Sequence, residues 1–196
     1  MPQRLTLVDL KTKQVGVWDL ETVSLNASFG HILCGTFMPL FGKKKDCITY
    51  TIAQSSGYKD HIWDDSWLVS KLVEEASKYE VLIGYNSLRF DASMLNTRAL
   101  FHKQKLLPRD MKHMDLYRYV KEKLRMGGRS LDALLVHLTN VPKQYQILPR
   151  VWRQATCGDQ ACFAHIVKRN ISDVVSTARV AKRLLKVTWL PYCYSR

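Results

Sequence analysis

The stretch VWDLETVSLNA, residues 17–27, reads as a β-strand with two carboxylates set into it, Asp19 and Glu21. Charged residues are depleted in strands and a buried unpaired carboxylate is costly, so something must offset these two. Side chains two apart on a strand share a face and stand about 7 Å apart along it. Asp19 and Glu21 therefore point one way while Trp18 and Leu20 point the other. A half-exposed surface strand satisfies that pattern, and so does a metal site. What decides between them is which other residues the chain brings to the same face.

Around this strand, from Leu5 to Ile52, the segments LTLVDL, QVGVWDLET, GHILCGTFMPL and CITYTI are rich in β-branched and aromatic residues. Turn formers such as GKKKD separate them, which predicts a meander of antiparallel strands. After WDDS, whose Asp64, Asp65 and Ser66 are all suitable N-caps, WLVSKLVEEASKYE carries Trp67, Leu68, Leu72, Val73 and Ala76 at helical spacing. VLIGYN then reads as a short buried strand. From Asp91 onward the pattern is helical in DASMLNTRALFHK, DLYRYVKEKL, SLDALLVHLT and a long segment from about Gln160 to Lys186. The segment VPKQYQILPR, residues 141–150 with Pro142 and Pro149, reads as an irregular loop. Strands first, then helices with one strand between them, predict an α/β layered domain with a mixed sheet, here a single domain over residues 1–196.

Of the 196 residues 46% are hydrophobic, enough for a sizeable core. No apolar run approaches the roughly 20 residues of a membrane span, and the N-terminus is too polar for a secretory signal, so a soluble, cytoplasmic protein is expected, of phage, viral or bacterial type. The five cysteines are odd in number, scattered and free of any C-x-x-C pair, so neither a disulfide framework nor a zinc site is suggested and core thiols are expected. The charge balance says more. Thirty Lys and Arg against 17 Asp and Glu give a formal +13, a field that concentrates polyanions, so nucleic acid is the leading partner and a membrane is not expected.

Two further acids have both a structural reading, an N-cap for one and a salt bridge for the other, and a functional one. In GYNSLRFDASML the predicted strand ends in a turn and Asp91 opens a helix, where an acid also serves as a cap. Asn86 and Phe90 beside it supply an amide and an aromatic face suited to gripping a sugar and stacking a terminal base. In HIVKRNISDVVSTARVAKRLL, the residues Ile166, Ile171, Val174, Val175, Ala178, Ala181 and Leu185 make an apolar helical face, and Asp173 sits inside that run. Four acids arriving from a strand, a strand-to-helix turn and a late helix are most economically explained by a shared divalent-metal site.

With those residues in hand, the chain resembles the DEDD, or DnaQ-like, 3′–5′ exonuclease superfamily with a ribonuclease H-like fold. DLE, GYNSLRFD with its N-x-x-x-F-D core, and NISDVVST are similar to the three exonuclease motifs, in order. HMDLYRYVKEKLRMGGRSLDALLVHL, with Asp115, resembles the segment between the second and third. The resemblance implies a three-layer domain with a central mixed sheet flanked by helices, and hydrolysis with two ions, Mg²⁺ or Mn²⁺. Asp19 would bridge both ions, Glu21 and Asp173 would hold the first and Asp91 would help to hold the second. Its substrates would be DNA or RNA, single-stranded 3′ ends foremost, with a polymerase or repair assembly as a partner.

The chain departs from that family in one place. Members carry a Tyr four residues before the last Asp, or a His five before it, to orient or deprotonate the attacking water. Here those positions are Arg169 and Lys168, neither of which is a base near neutral pH. Three alternatives stay open. His165 lies eight residues before Asp173, roughly 12 Å along a helix axis, and serves as base only if the helix starts late and the chain bends back. Metal-activated water needs no side-chain base, and Arg169 would then contact a phosphate. A weakened nuclease would keep nucleic-acid binding alone. His113 near Asp115 reads as a solvated helix edge, and the five tryptophans as core anchors, Trp152 being open to either role. The expected function is thus a metal-dependent 3′–5′ exonuclease. The alternatives are an accessory nucleic-acid-binding module and a structure-selective endonuclease on the same fold.

Overall fold

The computed structural model describes residues 4–141 and 146–194, so Pro142 and its three neighbours in the expected loop lie outside the described residues. In chain order the elements are β1 (Arg4–Leu5), α1 (Leu7–Lys11), β2 (Val15–Thr22), β3 (Ile32–Pro39) and β4 (Ile48–Thr51). They continue with α2 (Ser66–Ala76), β5 (Val81–Gly84), α3 (Asp91–Phe101), β6 (Lys112–Asp115) and α4 (Leu116–Lys123). The chain closes with α5 (Leu131–Thr139), α6 (Pro149–Thr156), α7 (Gln160–Leu185), β7 (Leu190–Pro191) and β8 (Cys193–Tyr194).

The main sheet has the order β4-β3-β2-β5-β6-β8, and β1 pairs separately with β7. The strands β2, β3 and β4 are antiparallel, as their hairpin-like spacing predicts, while β5 and β6 run parallel to β2 and β8 is antiparallel to β6. A mixed sheet with a cluster of apolar residues on each face makes three layers. On β2 the alternation is strict. Val15 and Val17 join the cluster built with α5 and α7, whereas Trp18 and Leu20 join the one built with α2 and α3. On the second face α2 lies close to the sheet because β3 offers Gly35 there: a Cβ at that position would meet Leu72 and Leu20 side chains at 2.5 and 2.6 Å.

Several local expectations are corrected. Of LTLVDL only Leu5 is in a strand, the two-residue β1, and the rest turns into a helix. Thr6 and Asp9 form a capping box, with Thr6 N–H donating to Asp9 Oδ2 at 2.7 Å and Asp9 N–H to Thr6 Oγ1 at 3.3 Å, and this starts α1 at Leu7. A second inserted strand, β6, was hidden by its polar sequence KHMD, since its burial comes from neighbours on both sides rather than from its own hydrophobicity. His113 on it is fully buried against Trp18, not on a solvated edge. Pro149 does not mark a loop but occupies the first turn of α6, where its missing N–H costs nothing. Of the cysteines only Cys34 is buried, and Cys157 is exposed. Trp18 is the buried tryptophan anchor, while Trp63 is 62% exposed.

Candidate active site

The acids on β2 emerge on the face toward α7 because Val15 and Val17 already occupy that face farther back along the strand. Past Glu21 the β2–β3 register shifts between Glu21 and Thr22, a bulge that ends the regular ladder at the edge of the site. From the other side α7 runs as one unbroken helix whose Val174, Ala178, Ala181 and Leu185 are buried in the core, and the same anchorage presents Asp173 to β2. Ligand oxygens of Asp19, Glu21 and Asp173 all come within 4.8 Å of one another.

The fourth acid arrives differently. Asp91 is the first residue of α3, and its Oδ1 accepts the Leu20 N–H at 2.8 Å, so its carboxylate is tied to the β2 backbone between the two strand acids. The turn that delivers it is itself held by Asp115. This carboxylate caps α4 through Tyr117 N–H at 3.0 Å, and it also accepts Asn86 N–H at 2.9 Å and Leu88 N–H at 3.2 Å. Asn86 adopts φ +60°, a left-handed conformation that Asn tolerates better than most residues.

Asp19, Glu21, Asp91, Asp173, Asn86, Phe90 and Arg169 line a single cleft of about 540 Å³, together with Arg89 and Leu25. A neighbouring cleft of about 410 Å³ is bounded by Glu21, Phe90, Leu25, Trp152 and Arg153. Phe90 and the 85% exposed Leu25 are common to both. The structure does not bring His165 to this place. It is exposed on the first turns of α7, and because that helix is continuous from Gln160 the late start His165 required is not found. Lys168 is exposed as well.

The electrostatics follow from the crowding. Burial, and then the charges of Asp91, Glu21 and Asp173, push the Asp19 carboxyl well above the usual range, against the pull of a hydrogen bond from Asn170. Burial pushes Asp91 up to about 8, opposed by the Leu20 N–H. Two cationic or polar side chains from α7 moderate this. Asn170 Nδ2–H donates to Asp19 Oδ2 at 2.8 Å. Arg169 Nε lies 3.2 Å from Glu21 Oε1 and 3.4 Å from Asp173 Oδ2. Hard carboxylate oxygens gathered at this spacing fit a divalent cation such as Mg²⁺ or Mn²⁺, which would also relieve the mutual repulsion of the acids.

Asn170 and Asp115 were not singled out as site residues from the sequence. The signal for Asn170 was a polar side chain three residues before Asp173 on an otherwise apolar helical face, and it is fully buried. Asp115 stands out in the sequence only through the resemblance of its segment, because nothing there announces the turn at Asn86.

The structure is thus an α/β fold of three layers with an acid-lined cleft at the end of β2. A family model described as the RNase_H superfamily matches residues 17–185, and the chain belongs to that superfamily. Among solved structures it is similar to the family B DNA polymerase from the hyperthermophilic archaeon Pyrobaculum calidifontis, with a TM-score of 0.71 and 19% identity over 88% of this chain. That alignment takes in 24% of the polymerase chain, so the present chain spans about a quarter of its length, and at that identity the likeness is one of fold. No curated protein sequence matches the chain.

Proposed function

We propose that the chain is a 3′–5′ exonuclease of the DEDD type, a single domain that hydrolyses the terminal phosphodiester bond of DNA or RNA with two divalent ions. The observation that carries this reading is the meeting of Asp19, Glu21 and Asp173 within 4.8 Å in an open cleft that also contains Asp91, Asn86 and Phe90. Asp19, Glu21 and Asp173 would hold one ion and Asp19 with Asp91 the other. Such ions lower the pKa of a water and stabilise the leaving oxygen when bound.

The chain's own residues supply the rest. Phe90 offers its ring to the terminal base, and Asn86 its amide to the sugar, from a turn that Asp115 fixes. Asn170 orients the Asp19 carboxylate. Arg169 contributes a permanent positive charge beside the scissile phosphate rather than a base. Water adds to phosphorus, the 3′ oxygen leaves, and the products are a nucleoside 5′-monophosphate and a strand one residue shorter. A basic chain of formal charge +13 attracts such a polyanion, and the likeness to a polymerase supports work beside or within a polymerase or repair assembly.

The test is incubation with 5′-labelled single- and double-stranded DNA and RNA in Mg²⁺, Mn²⁺ or EDTA. Stepwise shortening that needs metal and vanishes in Asp19→Ala supports the exonuclease. Discrete internal cuts would identify an endonuclease. A second reading, a nucleic-acid-binding module, is favoured by one observation, the guanidinium of Arg169 already neutralising two of the acids, and intact oligonucleotides bound tightly by the chain would establish it.

A further inference from the structure

We propose that Arg169 and a divalent cation are alternative occupants of the space between Glu21 and Asp173, so that the arginine keeps the metal site closed until an incoming phosphate draws it away. This rests on the metal reading above and extends it to the order in which ligands arrive.

The two acids that Arg169 joins belong to the trio best placed to hold an ion. Their side chains are 11% and 8% exposed, so little water is available to neutralise them, and the guanidinium Nε reaches one oxygen of each, at 3.2 and 3.4 Å. A cation added to those same oxygens would meet the guanidinium charge within a few ångströms in a poorly solvated place, a repulsion that low local dielectric strengthens. The pair therefore accepts one cation or the other.

Arg169 is equipped to leave. It sits four residues before Asp173 on a rigid helix, its side chain is 27% exposed, and it lines the cleft that holds Asn86, Arg89 and Phe90. Released from the acids it stays in that cleft, where a phosphate is its natural bidentate partner. Nucleotide binding then vacates the acids and metal fills them, which makes nucleotide and metal mutually reinforcing ligands.

The experiment measures Mn²⁺ binding to the whole chain by titration calorimetry and by electron paramagnetic resonance of free Mn²⁺, with and without thymidine 5′-monophosphate. Wild type, Arg169→Gln and Asp19→Ala are compared. Arg169→Gln is expected to bind Mn²⁺ at least about tenfold more tightly than wild type, the size of effect that groups around a metal site commonly exert. In EDTA it should melt at a lower temperature than wild type and gain more on adding Mn²⁺. The nucleotide should tighten Mn²⁺ binding in wild type and do so less in Arg169→Gln. Arg169→Lys, which keeps the charge but not the fork, repeats the comparison should the glutamine variant unfold, and is expected to fall between the two. Equal Mn²⁺ affinity in wild type and Arg169→Gln, with binding lost in Asp19→Ala, would overturn the role of Arg169 and leave the metal site standing. Absence of Mn²⁺ binding in all variants would overturn the metal reading, and this proposal with it.

Discussion

Asn170 Nδ2–H donates to Asp19 Oδ2 at 2.8 Å, joining residues 151 positions apart and fixing how the central acid of the cleft is turned. Both partners sit on rigid elements, β2 and α7, so the bond sets an orientation rather than following one.

Asn170→Ala should leave the fold intact and weaken metal binding and hydrolysis by about 10- to 100-fold, the range typical of residues that orient metal ligands. Single-turnover hydrolysis and Mn²⁺ titration measure it. Asn170→Asp should do worse than Ala, because it adds a charge to carboxyls that burial and mutual repulsion already disfavour as anions.

Asp115→Asn should cost about 2 kcal/mol in denaturant unfolding and weaken nucleotide binding at the same time. The neutral amide accepts the N–H groups of Asn86, Leu88 and Tyr117 less strongly, and hydrogen bonds to a charged acceptor are worth about 1.5–3 kcal/mol each. A loss of stability with unchanged nucleotide affinity would show that the turn holds itself.

Asp65 stands at the N-cap position of α2, but its side chain does not cap the helix and is fully buried. Its oxygens accept Arg98 Nη2–H at 2.6 Å and Ile32 N–H at 2.8 Å, with His102 Nε2 at 2.6 Å, while Arg98 reaches on to Ala27 O at 3.2 Å. Asp65→Ala strands a largely buried guanidinium and should cost about 3–5 kcal/mol. For a chain of this size that lowers the melting temperature by about 10 °C. Scanning calorimetry reads it directly.

Burial lowers His113 to about 4, so the folded protein holds it neutral where the unfolded chain, near 6.5, begins to take up a proton. The unfolded state binds more protons in that interval. The contribution of neutral His113 is therefore complete above about pH 6.5 and is lost as pH falls toward 4, by up to ~3 kcal/mol. Urea unfolding of wild type and His113→Gln between pH 7.5 and 4 isolates it as the difference between the two curves, which should narrow as the pH drops.

How much of this the sequence disclosed depends on whether the signal was local. The acids on β2 and in α7 were legible because a charge inside a strand or an apolar helical face contradicts its own surroundings. The sheet from β2 to β5 and the long final helix followed from periodicity. What stayed hidden was set by neighbours far along the chain. KHMD becomes a strand because β5 and β8 flank it, and the Asp65 side chain, at the N-cap of α2, turns to Arg98, 33 positions away. Arg169 was visible as the wrong residue for a base. Its contacts with Glu21 and Asp173 required the helix to be placed against the sheet.

The left-handed backbone at Asn86 has a consequence for what can replace it. Gly would keep the bend and discard the amide; Gln would keep an amide and resist the bend; Asp would keep the bend and bring another anion into a cleft already crowded with them. Shape and chemistry intersect at one amino acid. Drift at this position is therefore narrow in a way that exposure alone would never suggest, and a library randomised there should return Asn, Asp and Gly when selected for folding but Asn alone when selected for nucleotide capture.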